Sequence, residues 1–453
     1  MARRIICESS ELAVECAHAA QGLGLAVEPV IPRDWFGDAV RALKSGEPTA
    51  VAMVRAPSLE QVIELSRLAR PQKLELSLAV LDAAPETRRL LQAAGDLGIT
   101  GLQEIRPLIA ALGLSQAEAG APWSCSIRSL PASDRARLRP VVVSGTRGAG
   151  RLTREQQGLL AWSADGKKGH VLLGESRDVA EAIAALRATD RTTAEVTTTV
   201  EGVDQQTVTD IVFGPARALS DPASKATLLA YGIAMPDEEL CNSASRAAAE
   251  ANRMDYPVRI ALASPDLRVW DHPDLAVDLV DNAARVREVY GLLMGLAASR
   301  APAARILGVT VAASNQAAAL FSVRARPLPH GRVAVEIEFA DPHGKATADA
   351  ALAVMPAPMT VLERVLGRLR GSRIVFSGTK SQRQANLDSI GDTLMRVAAL
   401  VNDRRDAIDR VELLPLALLV GGGVEVREAC VSVNDAFERS LQPSARKSRA
   451  STR

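Results

Sequence analysis

The sequence predicts an α/β chain in two parts: a parallel sheet wrapped by helices, then a half of mixed α+β architecture. Three observations predict it. Between Ile5 and Leu114 short apolar runs alternate with amphipathic stretches and have Gly and Pro at the joints, the order of a parallel sheet with crossover helices. Beyond Tyr256 the apolar runs crowd together, and the last two flank Gly421-Gly422-Gly423 as a hairpin. The 453 residues, 47% hydrophobic and 24% charged, provide core enough for about two to four domains.

In the first part the elements run 5–7, 11–25, 26–30, 35–43, 49–54, 58–68, 74–81, 85–97 and 102–112, strands and helices in turn. This order predicts a flavodoxin-like domain over 1–114. Residues 115–139 hold Gly120, Pro122 and Pro131 without a period and read as a linker. A second, short flavodoxin-like unit is expected over 140–215. It opens with a strand at 140–144 that runs through Gly145, Gly148 and Gly150 into a helix at 152–161. Strand, glycine loop and helix can present backbone N–H groups to a phosphate, and the same pattern also makes an ordinary tight turn. The threonine-rich stretch 192–209 reads as a connection.

The α+β half is expected over 216–438. Ser220 or Asp221 caps a helix that runs to Tyr231-Gly232, and a helix of small residues ends near Met254. Strands are expected at 256–263, 275–280, 308–312, 317–323 and 332–339, helices at 283–294, 360–369 and 387–401, and the hairpin at 411–419 and 424–433. Residues 444–453 are basic and serine-rich with no apolar side chain larger than alanine, so disorder is expected over the tail 439–453.

Composition excludes several function classes. With 54 basic and 53 acidic residues the net charge is +1, which provides no global field for nucleic acid or an anionic membrane. No apolar run reaches the roughly 18 to 20 residues of a bilayer span. The cysteines, Cys7, Cys16, Cys125, Cys241 and Cys430, are too scattered for a zinc site or redox dithiol, as expected for a reduced, cytoplasmic protein. No two histidines stand at i, i+4, so no helical metal face is present.

The run Ser220-Asp-Pro-Ala-Ser-Lys-Ala-Thr-Leu-Leu-Ala-Tyr-Gly-Ile-Ala-Met-Pro236, then Tyr256-Pro-Val-Arg-Ile-Ala261 and Ser264-Pro-Asp-Leu267, resembles the ATP-grasp domain of NDP-forming (ADP-forming) acyl-CoA synthetases, the succinyl-CoA synthetase-like superfamily. The resemblance continues through Ser377-Gly-Thr-Lys-Ser-Gln-Arg-Gln-Ala-Asn-Leu387, Val411-Glu-Leu-Leu-Pro-Leu416 and Glu428. Upstream, Arg4-Ile-Ile-Cys-Glu-Ser-Ser-Glu-Leu-Ala13 and Val141-Val-Val-Ser-Gly-Thr-Arg-Gly-Ala-Gly150 look like the entries of the family's two flavodoxin-like domains. The resemblance implies nucleotide-binding positions at Lys225, Arg259, Lys380, Gly148 and Gly150, and metal-binding positions at Glu412 and Glu428. The family's N-terminal CoA-binding domain has no counterpart in this sequence, which implies a separate CoA-binding subunit if the protein is active.

The departures from the family pattern are chemical. Where the family has a phosphate-holding lysine this chain has Ala261, with Arg259 two residues away on the same strand face as a partial substitute. Val269-Trp270 and Asp274-Leu275 stand for a His-Lys pair and a Gly-Gly gate, and Leu414 stands for a metal-ligating asparagine. The phosphohistidine region reads Val80-Leu-Asp-Ala-Ala-Pro-Glu-Thr-Arg88. His18 and His170 lie elsewhere, and His272, His330 and His343 fall in polar or Pro/Gly-flanked loops, so no catalytic residue is assigned. The expected function is that of a catalytically degenerate member, structural, regulatory or partner-binding, in complex with another protein or itself. The alternative is an acid-thiol ligase subunit that uses ATP or ADP together with a CoA-binding chain. A nucleotide sensor without turnover, with weak Mg²⁺ dependence, stands between them. In the degenerate case Glu412 and Glu428 are expected to pair with Arg259 and close the cleft.

Overall fold

A computed structural model describes residues 3–22, 25, 27–116, 159–162, 171–189, 200–340 and 346–435. The chain divides into two units, Met1–Glu195 and Val196–Arg453. Gly148, Gly150, Cys125, His170, His343, the tail 439–453 and all of the expected linker past Gln116 lie outside the described residues.

In the first unit β1 (Arg3–Cys7), β2 (Val27–Val30), β3 (Thr49–Met53), β4 (Leu76–Val80) and β5 (Thr100–Leu102) form a parallel sheet of order β2-β1-β3-β4-β5. This is the strand order of the flavodoxin-like doubly wound fold. All residues of β3 and β4 are buried, as a sheet covered by helices on both faces requires. The helix Leu59–Ala69 starts at a capping box in which Ser58 and Gln61 satisfy each other's backbone N–H.

The helix expected over 152–161 is corrected at its end. Leu159–Trp162 is a strand, β6, paired antiparallel with β7 (Val171–Glu175). Its apolar run is too short for periodicity to separate strand from helix, and the cross-strand partner decides. The helix Ser176–Ala188 follows, and its Ala182 and Leu186 join the core built on β1, β3 and the helix Ile105–Gln116.

The second unit opens with a helix, Gln205–Val212, in the stretch expected to be a connection. Asp204 caps it, accepting from the Thr207 N–H at 3.1 Å, and Val208 and Val212 are buried, so spacing 208/212 is an apolar stripe hidden among threonines. After β8 (Arg217–Ala218) and the helix Asp221–Leu229 come two antiparallel sheets. The smaller holds β9 (Glu238–Cys241), β10 (Val258–Ala263), β11 (Ala276–Val280) and β12 (Gly308–Ala313) in the order β11-β10-β12-β9. The larger holds β13 (Ala317–Leu328), β14 (Arg332–Ala340), β15 (Ala346–Met355), β16 (Ile408–Leu419), β17 (Val424–Val426) and β18 (Ala429–Val433), ordered β15-β14-β13-β16-β18-β8 with β17 on β16. The long helix Lys380–Asp403 lays Leu387, Ile390, Leu394, Val397 and Val401 against its inner face. No helix among the described residues is long and apolar enough to cross a membrane.

One backbone feature touches the site. The β10–β11 pairing shifts register between Val258 and Ile260, and on the bulged strand Leu279 takes φ 57° with its side chain largely exposed. A left-handed leucine costs roughly 1–2 kcal/mol. Leu279→Gly is therefore expected to raise the melting temperature of the second unit by about 2 °C, the response to roughly 1 kcal/mol in a domain of this size. A thermal melt showing a decrease would contradict this reading.

Candidate functional site

The two sheets of the second unit face each other across a cavity of about 260 Å³. From the small sheet and its loop come Arg259, Val269, Trp270, Pro273, Ala276 and Asp278; from the large one, Leu320, Leu414, Pro415, Arg427 and Glu428. Arg259 projects from β10 beside β11, whose bulge brings Asp278 to it, Nε to Oδ1 3.3 Å. The expected pairing of Arg259 with Glu412 and Glu428 is corrected here, because the neighbouring strand provides a carboxylate closer than those across the cleft.

Glu412 is buried on β16 and has other partners. Arg324 stands opposite it in register on β13, with Nε 3.5 Å from Oε1. Arg268 reaches from the small-sheet loop, with Nη1 3.3 Å from Oε2. The loop that carries Arg268 is anchored by its other side chains. Val269 and Leu275 are buried in the small-sheet core, Trp270 packs on Leu320, Ala340 and Ala417, and Asp274 accepts two bonds from Arg300 at 2.9 and 2.7 Å.

Glu428 lies in the cavity wall. Burial pushes its carboxyl up to about 8, and Asp221 adds to the rise against the pull of Arg259, Lys225 and the Trp270 N–H. Lys225 stands behind the wall, enclosed by Asp221 at 3.0 Å and Glu238 at 2.6 Å. Burial favours its neutral form, but the two carboxylates prevail and raise it above the ordinary lysine value. Lys380 is exposed at the first turn of its helix and does not line the cavity.

Of the positions expected from the sequence, Arg259 and Glu428 therefore meet at the cavity, Glu412 adjoins it through the Arg268 loop, and Lys225 and Lys380 stand apart from it. The residues that complete the site, Arg268, Trp270, Asp278, Arg324 and Arg427, were not singled out as a group. The Asp221–Lys225 pair had a visible signal in its i, i+4 spacing on a capped helix. In the first unit the 80–88 segment ends β4 and starts the helix Pro85–Asp96. There the Thr87 hydroxyl and the Ala84 N–H, at 2.6 and 3.0 Å, hold the Asp82 carboxyl below its usual range.

The donor set does not suit Mg²⁺. Both Glu412 oxygens face guanidinium groups, and Leu414 offers no lone pair. Among the described residues no group of three or more His, Cys, Asp or Glu side chains is placed to hold a metal.

Residues 214–433 match the model of an ATP-grasp domain family. A curated relative, the beta subunit of ADP-forming acetate–CoA ligase II from Pyrococcus furiosus, is 20% identical over 217 residues, 48% of this chain and 92% of the relative. Among solved structures, the dinucleotide-forming acetyl-coenzyme A synthetase 1 of Ca. Korarchaeum cryptofilum aligns at TM-score 0.43 and 17% identity, covering 48% of this chain and 94% of that one. A protein from Pyrococcus horikoshii Ot3 aligns at TM-score 0.44 and 21% identity, covering 51% and 97%. Residues 214–433 thus match an ATP-grasp domain family, in a chain that is similar over this half to the beta subunit of an ADP-forming acetate–CoA ligase.

Proposed function

We propose that this chain, whose second half matches an ATP-grasp domain family, is a non-catalytic relative of the ADP-forming acyl-CoA synthetases that works by binding a protein partner. The observation that carries the reading is the state of Glu412. The carboxylate at the metal position is held between Arg324 on the next strand and Arg268 from the opposite side of the cleft, so it works as an interlobe tie. Two further features support it. Ala261, at the phosphate-pairing position, is a buried methyl group, and the gate segment is fixed by Leu275, Trp270 and the Asp274–Arg300 pair. Phosphoryl transfer depends on electrostatic positioning of phosphates and metal, and each of these changes acts on that positioning.

The second reading, an acid-thiol ligase subunit with a separate CoA-binding chain, is favoured by one observation: the curated relative is by its name a beta subunit and is matched over 92% of its length. Assaying ADP release from ATP with acetate, longer acids and CoA separates the readings. The expected result is no turnover. A rate above about 1 s⁻¹, ordinary for an enzyme, would establish the ligase reading instead.

A further inference from the structure

The C-terminal edge of the parallel sheet carries side chains that the fold does not use. Just past the ends of β2, β3 and β4 stand Ile31, Val54 and Leu81, which are 52%, 50% and 37% exposed. Val54 and Leu81 continue the register of Met53 and Val80, and the Leu81 N–H donates to the Met53 carbonyl at 3.0 Å. They therefore stand side by side at the strand spacing of about 4.8 Å. Trp35 and Phe36 begin the helix Trp35–Lys44 at the same edge, half-buried and packed edge to face with ring centroids 5.5 Å apart. Aromatic residues are only 3% of this chain and are enriched in the cores of protein interfaces, so a pair of them beside exposed aliphatic side chains marks the edge as a contact surface.

The charge at this edge is one-sided. Arg33 and Arg55, in the connections that follow β2 and β3, are exposed and form no ion pair among the described residues. The carboxylates beside them are engaged within the fold. Glu8 accepts from the Val54 N–H at 2.6 Å, Asp34 from the Gly37 N–H at 3.0 Å, and Asp82 from the Ala84 N–H and the Thr87 hydroxyl. Glu11 begins the helix Ser10–Gly22, which packs with the helix Ile105–Gln116 on the other face of the sheet. The helices Trp35–Lys44, Leu59–Ala69 and Pro85–Asp96 all start at this edge, and each N-terminus is the positive end of a helix dipole. Arginines and dipoles together favour an anionic partner, and the apolar side chains between them favour one that also carries hydrocarbon.

We propose that this edge docks an acidic, apolar segment of a partner protein, whose apolar side chain lies over Val54 and Leu81 and whose flanking Asp or Glu carboxylates meet Arg33 and Arg55. A patch of this size suits a transient, roughly micromolar contact. The inference rests on the partner-binding reading above and names the surface and the chemistry that the surface selects.

Selection of phage-displayed random dodecapeptides on the intact chain tests it, followed by fluorescence polarisation with one enriched peptide. Enriched peptides are expected to share an apolar side chain flanked by Asp or Glu. The double variants Arg33→Glu/Arg55→Glu and Val54→Ser/Leu81→Ser should each weaken binding at least tenfold, with thermal melts showing that both are folded. A peptide with Lys in place of each acidic residue should fail on the unmutated chain and bind the arginine variant. No enrichment, basic enriched peptides, or binding unchanged by both variants overturns the proposal. Self-association in sedimentation velocity that the arginine variant abolishes would give the edge to a second copy and overturn it as well. Loss of the peptide result without ADP release from ATP removes this inference alone, whereas ADP release at an enzyme's rate removes the non-catalytic reading and leaves the peptide result standing.

Discussion

Replacing Lys225 by methionine is expected to lower the melting temperature of the second unit by roughly 10 °C. The side chain is 4% exposed and separates two carboxylates, Asp221 and Glu238, at 3.0 and 2.6 Å. Methionine matches its length and removes its charge, which leaves two partly buried carboxylates facing each other. Breaking a buried pair by deleting one partner costs about 3–5 kcal/mol, and a domain of this size loses about 2–4 °C for each. The deficit should shrink in acid. Without the ammonium both carboxyls are pushed up in the folded state, so the protonated forms fold better, and the stability they contribute is lost as pH rises. Calorimetric melts at pH 5 and pH 8 measure both effects. A loss under 2 °C at pH 8 would show that Lys225 is not a structural charge and would return it to the candidates for ligand binding.

Glu428 supplies the second large effect. Its folded-state value of about 8 stands above the 4.5 of an ordinary glutamate. A group raised in this way contributes its full stability below about pH 4.5 and loses it as pH climbs through 8. At about 1.4 kcal/mol for each pH decade the loss is on the order of 5 kcal/mol. Glu428→Gln imitates the protonated carboxyl. It should match the unmutated protein near pH 5, exceed it clearly near pH 9, and flatten the decline between. Parallel stability curves for the two proteins across that range would mean that Glu428 is ionised and solvated, contrary to its burial.

What was legible in the sequence was whatever depends on local pattern. Alternating apolar runs separated by Gly and Pro place the first four parallel strands, because each crossover helix must follow its strand, whereas the run 102–112, expected in the fifth strand position, is mostly the helix Ile105–Gln116 and the fifth strand is the short Thr100–Leu102 before it. The Ser220-to-Pro236 and Tyr256-to-Ala261 motifs place the ATP-grasp half in the same way. What depends on register across strands was not legible. Asp278 reaches Arg259 only because β11 is bulged, and Arg324 reaches Glu412 only because β13 and β16 pair in that frame. The strand Ala346–Met355 hides in an alanine-rich run whose spacing does not separate strand from helix. In the helix Gln205–Val212 two buried valines were masked by polar neighbours. Expecting Arg259 to turn toward Glu412 followed from counting charges in the cleft, whereas distance within one sheet decides.

The most direct test of the non-catalytic reading is a calorimetric titration of the intact protein with ATP, performed with and without Mg²⁺. With Glu412 tied to Arg268 and Arg324 and Leu414 at the second ligand position, adding the metal is expected to change neither the heat nor the affinity. Tight ATP binding that appears only when Mg²⁺ is present would contradict the account and restore phosphoryl transfer as the function of the cleft.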